Sequence, residues 1–389
     1  MSDEQVWRGV QALLDDYVGI VGGDRVLLLY TSDSQRSAAL VSAALELRGI
    51  GFERVWMAPL HDPGFAERLA AALPRPALLT GRLVVLSFER DTFSHTGALN
   101  DALSAYPRDR QLVFRSNSAS DSLFADALRA SPAELSRRNA AILERLTTAS
   151  ELRITTRGGT DLAVTLDSAK HRWISNRGRA RMGGTVILPA GEVATFPARI
   201  SGVHVADFAY NVNAITEDDV RLDKTPVTIE IVDGRVVSHA CDDARIARFL
   251  DQCLTTHCAY NIGELGFGTN FRIDEPIAMN SHINERRPGV HLGLGQHNQD
   301  PGVVGYQCAI HLDLIARGGL ITIPGAVDPI DLEALVPSDA PHPTSTRDED
   351  VFSPDVLEIE EGDCCGLLTD GVLTPCVIPA LVESAGAGG

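Results

Sequence analysis

Residues 291–313 read HLGLGQHNQDPGVVGYQCAIHLD, two histidine-led apolar patches set close together. If HLGLG and IHLDL are strands, the alternation of side chains puts His291 on one face with Gly293, and His311 on one face with Asp313. A His-x-Asp pair on one face is a ready pair of metal ligands. Upstream, LPAGEVATFP (188–197) places Glu192 between a glycine and an apolar strand, and NIGELGFGTN (261–270) places Glu264 in a glycine-rich turn. Two Glu, two His and one Asp supply the oxygen and nitrogen donors that suit one or two divalent ions. Each residue alone has a plainer reading, because a histidine in an apolar strand is usually a hydrogen-bonded core residue and a Glu beside Gly often finishes a turn. Only the set points to a metal.

Positioning these donors requires strands, and the chain supplies them in two textures. At 389 residues it exceeds what one hydrophobic core usually supports, so two domains are expected. RVLLLY (25–30), a helical stretch over 34–49 closed by glycine, and FERVWMAP (52–59) make a βαβ unit. RLVVLSF (82–88) and RQLVFRS (110–116) repeat the strand signal, with helical material over 123–149. The expectation is a doubly wound α/β domain over residues 1–150, followed by an α+β domain rich in antiparallel strand over 151–389. Two hairpins mark the second domain, one around the Gly-Gly of residues 151–166 and one turning at Asp233-Gly234, and a helix is expected near 242–258. Order is expected to run to LTPCVIPALV (373–382), with the last residues frayed. A phosphate-binding turn would need glycines after the first strand, where the chain has TSDSQ, so nucleotide binding is disfavoured.

Composition narrows the partners. The formal net charge of −18 argues against nucleic acid and against an anionic membrane, both of which call for clustered Lys and Arg. No apolar run is long enough to span a bilayer and the N-terminus lacks signal-peptide character, so a cytoplasmic protein acting on small solutes is expected. The basic stretch KHRWISNRGRARMGG (170–184) could clamp a substrate carboxylate or simply be a solvated loop. Seven cysteines, two of them adjacent, do not suggest a disulfide framework. Cys253, Cys258 and Cys308 read as packing residues, Cys308 because a regular strand through YQCAIHLDL would turn it away from His311 and Asp313.

The order GTDL, GEVATFP, GELGFGTN, HLGLG, HLD resembles the thermophilic metallo-aminopeptidases of the aminopeptidase T and S type. The resemblance implies that Glu192, Glu264, His291, His311 and Asp313 are metal ligands, with Glu264 bridging and catalytic, and that the protein is a homodimer. It implies hydrolysis of an amide bond next to a free amine in a small molecule or short peptide, with Zn, Co or Mn as cofactor. Two ions roughly 3.5–4 Å apart would polarise the scissile carbonyl and acidify a water, and three ligand carboxylates against a formal +4 leave a positive site. The segment NERRPG before HLGLG is similar to an acidic stretch of those relatives and makes Glu285 a further candidate. Where the peptidases carry a tyrosine seven residues after the HLGLG histidine, this chain has Asn298; Tyr306 is the residue that could replace it.

A second branch, the ring-cleaving dihydroxypyridine dioxygenases, is similar in fold but holds one Fe(II) through a histidine where this chain has Glu264, together with the H-x-D pair. An Fe(II) oxygenase acting on a small aromatic or N-heterocyclic metabolite is therefore the competing expectation. A non-catalytic paralogue is the third, disfavoured because an unfilled carboxylate cluster is destabilising without its cation and all five donors are present.

Overall fold

The structure is a computed structural model that describes residues 1–256, 258–300, 302–342 and 366–375. Four segments form parallel strands: β1 (Arg25–Tyr30), the half-exposed edge strand β2 (Gly51–Trp56), β3 (Leu83–Phe88) and β4 (Gln111–Ser116). Both faces of this sheet are covered. Helices α1 (Asp3–Ala12) and α2 (Gln35–Leu47) pack with the core containing Val26, Leu28 and Val84. On the other face, α3 (Phe65–Ala72) and α4 (Thr96–Leu103) bury Leu27, Leu29 and Val85. Near-continuous apolar strands are what a sheet buried on both faces demands.

The helical stretch expected over 123–149 is broken in two, α5 (Asp121–Ala125) and α6 (Pro132–Leu146). Ser131 and Pro132 cause the break. The Ser131 hydroxyl caps the Glu134 N–H, the Glu134 carboxylate accepts from the Ser131 N–H, and Pro132 takes the first helical position, where its missing donor costs nothing.

Antiparallel pairing takes over with the hairpin β5 (Glu151–Thr155) and β6 (Asp161–Thr165), as the Gly-Gly turn predicts. Next come β7 (Trp173–Asn176) and β8 (Thr185–Leu188). The second of these returns to the first sheet, pairing parallel with β4 and completing the order β2-β1-β3-β4-β8. The parallel sheet thus takes its edge strand from beyond residue 150, a long-range pairing that no local pattern announces.

The remaining strands are β9 (Glu192–Thr195), β10 (Arg199–Ala206), β11 (Ala209–Val212), β12 (Ala214–Thr216), β13 (Val227–Val232), β14 (Arg235–Ala240), β15 (Ile262–Gly268), β16 (Gly289–Gly295), β17 (His311–Ile315), β18 (Leu320–Thr322), β19 (Ile330–Asp331), β20 (Gly366–Thr369) and β21 (Val372–Pro375). β13 and β14 turn at Asp233 and Gly234, both at positive φ (48° and 78°), the backbone that a two-residue hairpin requires. α7 (Ala244–Leu254) lies within the span expected to be helical, capped by Asp243. A seven-stranded sheet, β14-β13-β10-β6-β5-β18-β19, contributes Ile154, Leu162, Ile200 and Ile229 to the second core. A six-stranded sheet, β11-β17-β16-β15-β9-β7, contributes Val193, Leu265, Phe267, Leu292, Leu294, Leu312 and Leu314 to the same core. By strand alternation, the residues between them point to the opposite face of this sheet.

Cys258 and Cys308 form a disulfide with Cα atoms 5.5 Å apart, against the expectation of unpaired packing thiols. β17 begins only at His311, so the alternation that would turn Cys308 away does not reach it. Cys253 is buried; His257 and the cysteines at 364, 365 and 376 lie outside the described residues, as does everything after 375, including most of LTPCVIPALV.

Candidate metal centre

The opposite face of the six-stranded sheet carries the five donors. Register aligns Glu192 with Gly268, Glu264 with Gly293, Gly266 with His291, Gly293 with Asp313 and Gly295 with His311. Each donor therefore faces a glycine on the next strand, across four neighbouring strands. Gly263 sets the phase: a bulge between Ile262 and Glu264 sends Ile262 into the core yet leaves Glu264 on the site face. A side chain at 263 would strike the carbonyls of Gln296 and Gly295 at 2.5 and 2.7 Å, so only glycine fits the bulge.

Two clusters of ligand atoms result, Glu192–Glu264–His291 and Glu264–His311–Asp313, each with all atoms within 4.8 Å of one another. Glu264 belongs to both. The structure brings together all five residues named from the sequence, and all but His311 are buried. His291 Nε2 lies 2.9 Å from Glu192 Oε1 and 3.4 Å from Glu264 Oε1; His311 Nε2 lies 3.4 Å from Asp313 Oδ1. His311 Nδ1 is 3.0 Å from the Gln296 carbonyl, an acceptor that fixes the proton on Nδ1 and turns Nε2 toward the cluster.

The donors fit a cation on three counts. Asp313 Oδ1 is buried and, apart from His311 Nε2 at 3.4 Å, has no hydrogen-bond partner among the described residues, a need that a metal would satisfy. Glycine floors the site, since a Cβ at Gly266 would sit 2.0 Å from His291 Nε2 and one at Gly293 would sit 2.8 Å from Glu264 Cβ and 3.1 Å from Asp313 Oδ1. The donor chemistry of carboxylate and imidazole suits divalent ions of the zinc, cobalt, manganese and iron type.

Electrostatics describe the same centre without its cation. Burial, aided by the nearby Glu285 carboxylate and opposed by His311, pushes Asp313 up to about 6. Burial also opposes the charge on Glu264, but His291 and His311 hold it below the usual carboxylate range. The imidazoles respond in kind: burial would lower them, yet Glu192 and Glu264 around His291, and Asp313 beside His311, hold both well above their ordinary value.

Helix α8 (His282–Arg286) caps the centre and supplies residues that the sequence argument named weakly or not at all. Glu285 is buried at the site, accepting from Asn211 Nδ2 at 3.1 Å. Arg286 Nη1 lies 2.7 Å from Glu192 Oε2 and 2.6 Å from Glu285 Oε1, while its Nε donates to the Pro189 carbonyl at 3.0 Å. Burial opposes the charge on Glu285, but His282 and Arg286 hold it well below the usual carboxylate range. Burial and Arg286 keep His282 itself below the usual imidazole range, so the guanidinium is the permanent positive charge here. His282 Nε2 in turn meets Asn117 Nδ2 at 3.0 Å, linking the centre to the C-terminal end of β4. The only sequence signal for Arg286 was its place next to Glu285.

Asn298 and Tyr306 lie on the loop between β16 and β17. The Asn298 amide nitrogen and the Tyr306 hydroxyl are both buried without a hydrogen-bond partner among the described residues, and burial pushes the phenol up to about 12. His297 ties the loop together, its Nε2 2.8 Å from the Tyr306 carbonyl. From the basic stretch, Arg172 reaches this loop, pairing with Asp300 at 3.2 Å and donating to the Asn298 carbonyl at 3.4 Å.

Comparison with known proteins agrees with both branches expected from the motifs. Residues 125–279, which include Glu192 and Glu264, match the family model described as NicX, 2,5-dihydroxypyridine 5,6-dioxygenase. No curated protein sequence matches the chain. Among solved structures, the 2,5-dihydroxypyridine dioxygenase from Pseudomonas putida superposes with a TM-score of 0.57 at 16% identity, covering 89% of this chain and 100% of that one. Wild-type AmpT from Thermus thermophilus superposes with a TM-score of 0.52 at 16% identity, covering 86% and 99%. A parallel α/β region followed by antiparallel sheets is thus a fold this chain shares with a dihydroxypyridine dioxygenase and an aminopeptidase T.

Proposed function

We propose that this protein is a two-metal hydrolase that cleaves an amide bond next to a free amine in a small molecule or short peptide. The observation that carries the reading is the position of Glu264 in both donor clusters, one carboxylate shared by two three-residue sets. Two divalent ions, when bound, would polarise a carbonyl and acidify a water.

The chain's own residues do the rest. Glu192 and His291 complete one set and His311 and Asp313 the other, while Glu264 belongs to both. Asn298 and Tyr306 are the buried, unpartnered donors on the adjoining loop, and in this reading they serve the oxygen on which charge develops. A phenol held protonated up to about 12 is a donor at any working pH. Burial of the donor face excludes bulk water and strengthens each of these interactions.

A second reading, a single-Fe(II) oxygenase, is favoured by two observations. The family-model match covers residues 125–279, and Glu264, His311 and Asp313 form a complete three-donor set without the other two residues. Metal-stripped protein separates the readings. Under nitrogen, Zn(II) or Co(II) should restore cleavage of a leucyl peptide. Turnover of a dihydroxypyridine that appears only with Fe(II) and air would replace the hydrolase with the oxygenase.

A further inference from the structure

The two halves of the centre are not equivalent, and the difference lies in residues of the helix above it. Arg286 places a permanent positive charge 2.7 Å from Glu192 Oε2. It cannot readily swing away, because its Nε is held by the Pro189 carbonyl, its Nη1 is also paired with Glu285, and its side chain is 4% exposed. Its own backbone carbonyl accepts from Asn270 N–H at 2.8 Å, fixing the end of α8. A cation entering between Glu192, Glu264 and His291 meets a carboxylate already neutralised and a like charge close by.

The charge of Arg286 reaches Glu264 and Asp313 through space, but it makes no ion pair with the other half. Among the described residues no arginine or lysine forms an ion pair with Asp313 or Glu264. The carboxylate of Glu285, itself shared with Arg286, acts on Asp313 as a like charge. Histidine orientation points the same way: His311 Nδ1 has the Gln296 carbonyl as acceptor, whereas His291 Nδ1 is buried without a hydrogen-bond partner among the described residues. An imidazole whose far nitrogen is already hydrogen-bonded presents its near nitrogen to a metal at less cost.

We infer that the centre loads in order: the Glu264–His311–Asp313 half binds a divalent cation first and tightly, and Arg286 holds the Glu192–Glu264–His291 half to a weaker second ion. Arg286 acts as a positioning residue, setting the affinity of a site through Glu192. The inference rests on the two-metal reading, and its test is arranged so that the two can fail separately.

The experiment is calorimetric titration of metal-stripped protein with Co(II), checked by the visible absorption of bound Co(II). Wild type should show two steps separated by more than about tenfold in affinity. Glu192→Gln should lose the weak step and keep the tight one; Asp313→Asn should lose the tight one. Arg286→Met should tighten the weak step by about tenfold. If that variant does not fold, the first three proteins still decide the matter. Two equal steps, or a tight step lost in Glu192→Gln but kept in Asp313→Asn, would overturn the ordering while leaving two metals in place. One equivalent at saturation that persists in Glu192→Gln would end the two-metal hydrolase reading and, with it, the weaker second ion of the ordered loading.

Discussion

Replacing Gly266 by Ala is the sharpest probe of the glycine floor. The added methyl would lie 2.0 Å from His291 Nε2, 2.3 Å from Cε1 and 2.7 Å from Cδ2. Comfortable carbon contacts are roughly 3.5–4.0 Å, so the ring must retreat by about 1.5 Å. It has little room, being 1% exposed and pinned between Glu192 and Glu264. Metal ligation tolerates only about 0.2 Å of error, so such a displacement removes His291 as a ligand. The half-site containing Glu192 should therefore lose its ion, while the Glu264–His311–Asp313 half keeps one. Overpacking should also cost about 1–3 kcal/mol of stability. Metal stoichiometry by elemental analysis and urea unfolding read out the two effects, with Gly305→Ala as control because nothing lies within 4 Å of its added methyl. Wild-type stoichiometry in folded Gly266→Ala would refute the placement of His291 as a ligand.

Two other perturbations test features away from the donors. Burial pushes Asp91 up to about 7 from 3.8, and its Oδ1 has no hydrogen bond among the described residues. The folded state then holds a proton that the unfolded state has released between these values, so stability falls as pH rises from about 4 to 7. Asp91→Asn should stabilise the protein at pH 8 by about 1–3 kcal/mol and flatten that slope, with urea midpoints at pH 5 and 8 as the measure; an unchanged slope would contradict it. The Cys258–Cys308 bridge closes a sequence separation of 50 residues, so Cys308→Ser should cost about 4 kcal/mol in the absence of reductant. Bound metal should not change, since neither sulfur belongs to a donor cluster, and alkylation that finds both thiols free in the oxidised wild type would remove the basis of this prediction.

Much of the centre was legible in the sequence because strand alternation is a local property. HLGLG and HLD fix which residues share a face whatever the strand pairs with, and His291 with Gly293, and His311 with Asp313, indeed point the same way. The Asp233-Gly234 hairpin and the parallel strands of the first sheet were readable for the same reason, since turn chemistry and unbroken apolar runs act over a few residues. The order of five donor-bearing segments suggested that they meet, but the suggestion came from resemblance to relatives, not from a period in the chain.

Tertiary structure decided the rest. The bulge at Gly263 re-aims Glu264, and it exists because two strands and the Gln296 turn crowd that position. Without it, alternation would put Glu264 on the same face as Ile262, toward the core. β8 joins the parallel sheet across a long stretch of intervening chain, and Cys258 meets Cys308 only because β17 starts late. Arg286 is the clearest case. In sequence it is one basic residue in NERRPG, with the look of a solvated charge; folding buries it because α8 is laid across the sheet, where Glu192, Glu285 and the Pro189 carbonyl converge on its guanidinium. Composition and spacing specify which side chains can bind a cation, but the partners that tune their charge come from distant segments, and only the packed chain brings those within a few ångströms.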